Sequence, residues 1–119
     1  MRSTAAMGRR GEELAAAHLT AHGLEVLARN WRCRHGELDI VAREGAVLVF
    51  VEVKARSSTR FGSPAEAVTP AKARRIRLLA CQWLAEHRPA GIGEMRFDVV
   101  GILQPPDGPP GLLHLRAAF

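Results

Sequence analysis

An acidic and a basic side chain stand two positions apart in the apolar stretch VFVEVKAR (residues 49–56). Residues 48–53 are apolar enough for a buried strand, yet they include Glu52, and Lys54 follows at once. Burying either charge without a partner costs several kcal/mol or more. A divalent cation and a phosphate would compensate both charges. A carboxylate beside a lysine therefore favours metal-assisted phosphodiester hydrolysis.

A second acidic pair precedes this strand in ELDIVAR (37–43). A two-residue hairpin loop at residues 44–45 would place Asp39 opposite Phe50 and Glu37 opposite Glu52. Alternate residues of a strand share a face, so four charged side chains would point to one side: Glu37, Asp39, Glu52 and Lys54. Asp39 and Glu52 would then be diagonal neighbours within reach of one ion. The opposite face would be plain core: Leu38, Ile40, Val49, Val51 and Val53.

A third carboxylate comes from the predicted first helix, residues 9–22. Helical spacing puts Glu12 at the edge of the apolar stripe, where it can lean over the sheet, whereas Glu13 points away. Ligand sets made only of oxygen suit Mg²⁺ or Mn²⁺ rather than zinc. The alternative is that Glu52 and Lys54 pair with other charges at the wetter end of their strand.

The elements that must position these residues can be predicted from their periodicity. After the helix come strands at 24–29, 37–43 and 46–56, with a basic connection at 30–36. Thr69-Pro70 begins a second helix that runs to about Arg88, and strands at 95–103 and 112–117 follow. The third strand is apolar on both faces, which is typical of a central strand covered by helices. The prediction is a single α/β domain over residues 1–119, with a mixed β-sheet flanked by helices on both faces.

The charge balance favours a polyanionic partner. The chain has 17 Lys and Arg against 12 Asp and Glu, a net charge of +5 and a pI near 10.5. Nucleic acid is the first expectation and an anionic membrane surface the second, against an Arg-rich surface with no partner. The N-terminal residues lack a signal-peptide core, and no apolar run approaches a membrane span. A cytoplasmic protein with free Cys33 and Cys81 is expected.

Basic residues cluster near the acidic site in sequence. Those predicted to contact nucleic acid are Arg29, Arg32, Arg34, Arg56, Arg60, Lys72 and Arg75. A solvated basic surface is the alternative, and Trp31 among them is expected to pack in the core. His18 and His22 have a metal-ligand spacing, but no third ligand is evident in the sequence. Partly buried structural histidines are the favoured interpretation.

Five blocks in order resemble the YraN-like bacterial proteins: GRRGEELAAAHL, RNWRCRHGELDIVA, LVFVEVKAR, FGSPAEAV and RFDVV. That family is placed in the restriction-endonuclease-like, or PD-(D/E)xK, superfamily, near the archaeal Holliday-junction resolvases. The resemblance implies a metal-dependent DNA endonuclease, with the motif acids at Asp39 and Glu52, the lysine at Lys54 and the helical glutamate at Glu12. Leu38 stands where the superfamily motif has proline.

The first hypothesis is therefore an endonuclease that acts on branched or otherwise structured DNA. Asp39, Glu52 and the carbonyl of Val53 would bind Mg²⁺ or Mn²⁺, Lys54 would assist the attacking water, and Glu12 would complete the ion's shell. Resolvase-like relatives pair, so a homodimer is expected. The alternatives are a non-catalytic nucleic-acid-binding module and a protein-interaction subunit on the same fold.

Overall fold

Helices and strands follow one another in the predicted order. The computed structural model describes residues 4–58 and 64–119. Helix α1 (Thr4–Ala21) precedes three strands, β1 (Glu25–Cys33), β2 (Gly36–Glu44) and β3 (Val47–Arg56). A 3₁₀ turn at Pro64–Ala67 leads into α2 (Pro70–His87), which is followed by β4 (Glu94–Leu103) and β5 (Gly111–Leu115).

The strands form one mixed sheet whose order is that of the chain, β1 to β5. Neighbouring strands are antiparallel except β3 and β4, which run parallel. A parallel pair needs a crossover connection, and α2 supplies it. The predicted mixed α/β sheet flanked by helices is confirmed.

Strand β3 lies between two hydrophobic layers. Val49 and Val51 pack with Ala15 and Leu19 of α1 on one face. These residues belong to the α1-side layer. Leu48 and Phe50 face the other way, into the α2-side layer, which includes four residues of α2: Ile76, Leu79, Ala80 and Trp83. Each fully buried side chain of this size contributes about 1.5–3 kcal/mol. Strand β3 is thus held from both sides, as its unbroken apolar run predicts, and its charged end is fixed in place.

Helix α2 has the predicted ends. Thr69 Oγ1 accepts a hydrogen bond from the Lys72 N–H (3.2 Å), and Pro70 occupies the first turn. At the far end Arg88 takes a left-handed conformation (φ 42°) and donates its N–H to the Leu84 carbonyl. The cap fixes Lys72 in the first turn of the helix. Among the residues described, neither helix is long and apolar enough to cross a membrane.

The predicted connection at residues 30–36 is wrong for most of its length. Strand β1 continues through Cys33, and only Arg34 and His35 form the turn to β2. Trp31 and Cys33 pack against the α2-side layer, and this packing stabilises an extended strand conformation at these residues. Trp31 therefore belongs to the core periphery, as predicted.

The predicted register of the β2–β3 hairpin is also wrong, by two residues. The loop is Gly45-Ala46, and Glu44 pairs with Val47 instead of lying in the loop. Gly45 has φ 60°, a conformation that two-residue hairpin loops need at their first position and that glycine adopts without strain. Moving the loop by one residue shifts every partner by two. Asp39 is consequently not opposite Phe50, which pairs with Val41.

Candidate active site at the parting of two strands

The candidate site begins where β2 and β3 stop pairing. Their ladder runs as far as Ile40 and Val51. Beyond it the Asp39 side chain takes the place of a backbone acceptor, because the Val53 N–H donates to Asp39 Oδ2 (2.9 Å). The N–H and C=O of one strand residue point to the same edge, so the Val53 carbonyl is also directed toward Asp39.

The alternation of β2 changes at Asp39. Leu38 packs in the α2-side layer and Ile40 in the α1-side layer, although two residues apart should share a face. The prediction that Leu38 shares a core face with Ile40 is therefore wrong. On β1, Asn30 has φ 53° between the residues that pair with Leu38 and Ile40. This local irregularity lets Asp39 leave the regular sheet and lie between the two layers.

Two more carboxylates approach Asp39 from the α1 side. Glu12, Glu37 and Asp39 each offer an oxygen within 4.8 Å of the others, and all three are half-buried. Gly11 makes this approach feasible, because a Cβ there would lie 2.9 Å from the Ala55 Cβ of β3. The prediction that Glu12 leans over the sheet is confirmed.

Glu52 is held from the opposite side by two lysines. Lys54 Nζ and Lys72 Nζ both lie 3.2 Å from Glu52 Oε1, and the Glu52 side chain is only 11% exposed. Lys72 reaches it from the first turn of α2. The prediction of a single charged face for the hairpin is therefore wrong, because the charges form two groups. Glu37 and Asp39 lie with Glu12, whereas Glu52 and Lys54 lie with Lys72. Glu37 does not lie opposite Glu52, because the β2–β3 register is shifted by two residues and the ladder ends at Ile40 and Val51.

Asp39 joins the two groups electrostatically. Burial raises the pKa of Asp39, and the neighbouring charge of Glu52 raises it further, to about 7, although the Val53 N–H opposes the change. Burial also lowers the pKa of the Lys54 ammonium, with Lys72 contributing in the same direction. An acid whose pKa is raised toward neutrality by burial and like charge marks a candidate functional site.

The donor set fits a hard divalent cation. With an Mg–O distance of about 2.1 Å, adjacent oxygens of one octahedral Mg²⁺ lie about 3 Å apart and opposite ones about 4.2 Å, so oxygens within 4.8 Å of one another need to close by up to about 2 Å. Its ligands are all oxygen, which favours Mg²⁺ or Mn²⁺ over zinc. Such an ion would also relieve the repulsion that raises the pKa of Asp39.

The basic residues predicted to contact nucleic acid lie at varied distances from this site. Lys72 is within it, and Arg32 is linked to it because Arg32 Nε donates to Glu37 Oε2 (2.8 Å). Arg29, Arg34 and Arg75 are exposed, whereas Arg56 is half-buried at the end of β3. Arg60 lies outside the described residues.

Two members of the site were missed by sequence reasoning in different ways. Glu37 was placed near Asp39, but it was not included among the site residues. Lys72 was included only as a phosphate contact, and its pairing with Glu52 depends on where α2 crosses the sheet. The position of Lys72 three residues after the Thr69-Pro70 cap was the available signal, since it puts this side chain in the first helical turn.

Strand β4 carries a further carboxylate, Asp98. Asp98 is fully buried and accepts hydrogen bonds from Arg96 Nε (2.9 Å) and from the Ala117 N–H (3.0 Å). Its third partner is His114 (2.8 Å). Asp98 therefore forms an ion pair with Arg96 within a separate polar centre on β4 and β5.

A mixed five-stranded sheet between two helices, with its acids at the parting of two central strands, is consistent with the restriction-endonuclease-like class of α/β proteins. Within that class, the chain belongs to the UPF0102 family. The model of this family, described as "Uncharacterised protein family UPF0102", matches residues 11–102. The YraN-like proteins are this family, so the resemblance found in the sequence is confirmed.

Full-length relatives carry the same family name. The chain is 60% identical over 119 residues to a UPF0102 protein of Frankia alni, with 100% of the chain and 98% of the relative covered. It is 53% identical over 117 residues to a UPF0102 protein of Streptomyces coelicolor, covering 98% of the chain and 90% of the relative. A UPF0102 protein of Acidothermus cellulolyticus is 52% identical over 123 residues, with 96% and 93% covered.

Proposed function

We propose that this protein is a metal-dependent endonuclease that hydrolyses phosphodiester bonds in DNA. The observation that carries the proposal is the meeting of three half-buried carboxylates with an ion-paired glutamate and two lysines at one end of the sheet. Crowded acids of this kind repel one another without a cation, and lysines at the same place suit a phosphate.

In this proposal Asp39 and Glu52 bind Mg²⁺ or Mn²⁺ together with the Val53 carbonyl. Glu12 and Glu37 complete the shell, directly or through water. The ion, when bound, would polarise the phosphoryl group and lower the pKa of a coordinated water. Asp39 is well placed for this role because it lies beside Glu12 and Glu37 and also neighbours Glu52.

The two lysines have different tasks. Lys54 is the more deeply placed, and its lowered pKa suits it to orient the attacking water or to accept a proton. Lys72 lies at the positive end of α2, where the helix dipole adds to its attraction for phosphate. Substrate binding would release both ammonium groups from Glu52, which would then be free to bind the ion.

The basic surface would hold the DNA backbone. A net charge of +5 and the exposed Arg29, Arg34 and Arg75 favour a polyanion. Branched or structured DNA is the proposed substrate class, a homodimer the proposed assembly, and the cytoplasm the proposed location. A chain of 119 residues covers little duplex by itself, and a pair of protomers would supply two cutting sites.

Cleavage of a panel of DNA substrates tests the proposal. Linear, nicked, flapped and four-way DNA would be incubated with Mg²⁺, Mn²⁺ or EDTA. We expect cleavage that needs the metal and falls at least about 100-fold in Glu52→Gln and Lys54→Met, with circular dichroism showing the fold intact. Glu12→Gln should reduce it, whereas the adjacent exposed Glu13→Gln is the matched control and should not.

A specific observation favours one alternative, a nucleic-acid-binding module without catalysis. Glu52 already has two lysine partners, so its charge is compensated without an ion. DNA binding that weakens steeply with salt but never leads to cleavage under any metal would favour this function. Absence of both binding and cleavage would favour a protein-interaction subunit.

A further inference from the structure

A second polar centre lies between α1 and the last two strands, apart from the acidic site. His114 of β5 places Nε2 2.8 Å from Oδ2 of the fully buried Asp98. The Asp98 carboxylate also accepts from Arg96, so it is ionised and acts as an acceptor. His114 must therefore carry its proton on Nε2. In the neutral ring Nδ1 then presents a lone pair on the other side.

Helix α1 presents a second imidazole to that lone pair. His18 Nε2 lies 3.2 Å from His114 Nδ1. Two imidazole nitrogens bound to one tetrahedral ion, each at about 2.0–2.1 Å, lie about 3.3 Å apart. The two rings are thus within hydrogen-bonding distance, and this distance is also close to the spacing of two ligands of one metal ion.

A third imidazole, that of His22, follows the last residue of α1 and lies about one helical turn beyond His18. The ring centroid of His22 lies 4.1 Å from that of His18, and the side chain is exposed. His22 Nδ1 is 2.8 Å from the His18 carbonyl, so Nδ1 donates, and in the neutral ring Nε2 has a lone pair. A rotation of this exposed ring, which would break its hydrogen bond to the His18 carbonyl, would bring Nε2 toward the His18–His114 pair.

We propose that His18, His22 and His114 form a binding site for a borderline transition-metal ion such as Zn²⁺. In metal centres a ligating histidine usually donates its other ring N–H to a carboxylate or a backbone carbonyl. His114 does so to Asp98. Imidazole ligands select zinc or its neighbours, whereas the oxygens around Asp39 select Mg²⁺ or Mn²⁺.

The electrostatic surroundings allow such an ion. Burial lowers the pKa of His18, and the neighbouring His22, His114 and Arg116 contribute in the same direction, which favours the neutral ring that a metal ion requires. The nearby Arg116 guanidinium is paired with Glu44 (3.2 Å). The site would link α1 to β5, two elements far apart in sequence.

Metal titration of the metal-stripped full chain tests this site. We expect one equivalent of Zn²⁺ measured by calorimetry, and with Co²⁺ the visible absorption of a tetrahedral nitrogen site. His18→Ala and His114→Ala should weaken Zn²⁺ binding at least about 100-fold. His35→Ala, which changes an exposed histidine of the β1–β2 turn, is the matched control and should bind as the wild type does.

Further variants keep the test decisive if a buried change disturbs folding. His22→Ala alters only an exposed side chain and should weaken Zn²⁺ binding about 10-fold or more. Asp98→Asn should weaken it about 10- to 100-fold by removing the carboxylate behind His114. Asp39→Asn should leave it intact. Absence of Zn²⁺ binding, binding unchanged in His22→Ala, or binding lost in Asp39→Asn would each overturn the proposal.

Discussion

Asp39 and Asp98 are two sequestered aspartates whose pKa values move in opposite directions. Burial favours the neutral form of both. At Asp98 the hydrogen bonds from Arg96, the Ala117 N–H and His114 outweigh burial and hold the pKa below its ordinary value. At Asp39 a single backbone N–H opposes burial, and the charges of Glu52 and Glu12 reinforce it, so the pKa rises to about 7.

The difference separates a carboxylate that stabilises the fold from one that the fold only tolerates. The Asp98 charge is matched by a guanidinium within the same strand, and its oxygens have three partners. The Asp39 charge lies among other acids, so its ionised form is unfavourable until a cation arrives. Protein sites that bind or react commonly keep this kind of unrelieved repulsion.

The largest expected effect comes from breaking the satisfied centre. Asp98→Ala should lower the free energy of unfolding by about 3–5 kcal/mol, because it removes the buried acceptor shared by Arg96, His114 and the Ala117 N–H and leaves Arg96 only its pair with Glu44. Urea denaturation followed by circular dichroism measures this. A loss below about 1 kcal/mol would mean that Arg96 turns to solvent and that the two aspartates differ less than their surroundings suggest.

The two aspartates should change the free energy of unfolding in opposite directions as the pH rises. Asp98 has a folded-state pKa below its ordinary value of 3.8, so its contribution is present above pH 3.8 and is lost as the pH falls through the lower value. Asp39 has a raised pKa, so its contribution is complete below pH 3.8 and is lost as the pH rises through about 7. Asp98→Asn should flatten the acid limb and Asp39→Asn the limb near neutrality, measured by urea unfolding from pH 3 to 9 in EDTA.

Relieving the repulsion at Asp39 should stabilise the protein. Asp39→Asn keeps an oxygen that can accept from the Val53 N–H but removes one charge from the acidic group. In EDTA at pH 8 we expect a gain of about 1–2 kcal/mol in the free energy of unfolding.

Adding Mg²⁺ sharpens the same comparison. At a hundredfold excess over its dissociation constant, the ion should stabilise the wild type by about 2.7 kcal/mol and leave Asp39→Asn unchanged. Thermal unfolding with and without the ion measures this. Equal stabilisation of both proteins would show that Mg²⁺ does not bind at Asp39.

Local signals in the sequence were sufficient for the elements and for the layers of the fold. The Thr69-Pro70 cap fixed the start of α2, and the unbroken apolar run of β3 predicted a strand covered on both faces. Periodicity also placed Glu12 toward the sheet. The cap, the apolar run and the helical periodicity each depend on residues close together in sequence, and such local patterns predict secondary structure well.

Features that depend on tertiary geometry could not be predicted from local sequence patterns. The predicted hairpin register was wrong because the first loop position needs a positive φ, which selects Gly45 for that position. Starting the loop at Gly45 changes every cross-strand partner. The change of side at Asp39 arises where β2 and β3 stop pairing, which no local pattern indicates. His114 lies 96 residues from His18, so the third histidine of that centre could be found only once β5 and α1 were placed together.

The smallest expected effect concerns the exposed end of the acidic site. Arg32 is 76% exposed on its side chain, and its ion pair with Glu37 lies in high dielectric. Arg32→Ala should therefore change stability by less than about 1 kcal/mol. It should nevertheless tighten Mg²⁺ binding up to about fivefold, because Glu37 no longer has a competing cation, whereas Arg29→Ala on the same strand should leave Mg²⁺ affinity unchanged. Calorimetric titration of the two variants decides this: weaker binding in Arg32→Ala would mean that the guanidinium holds Glu37 in the orientation the ion requires.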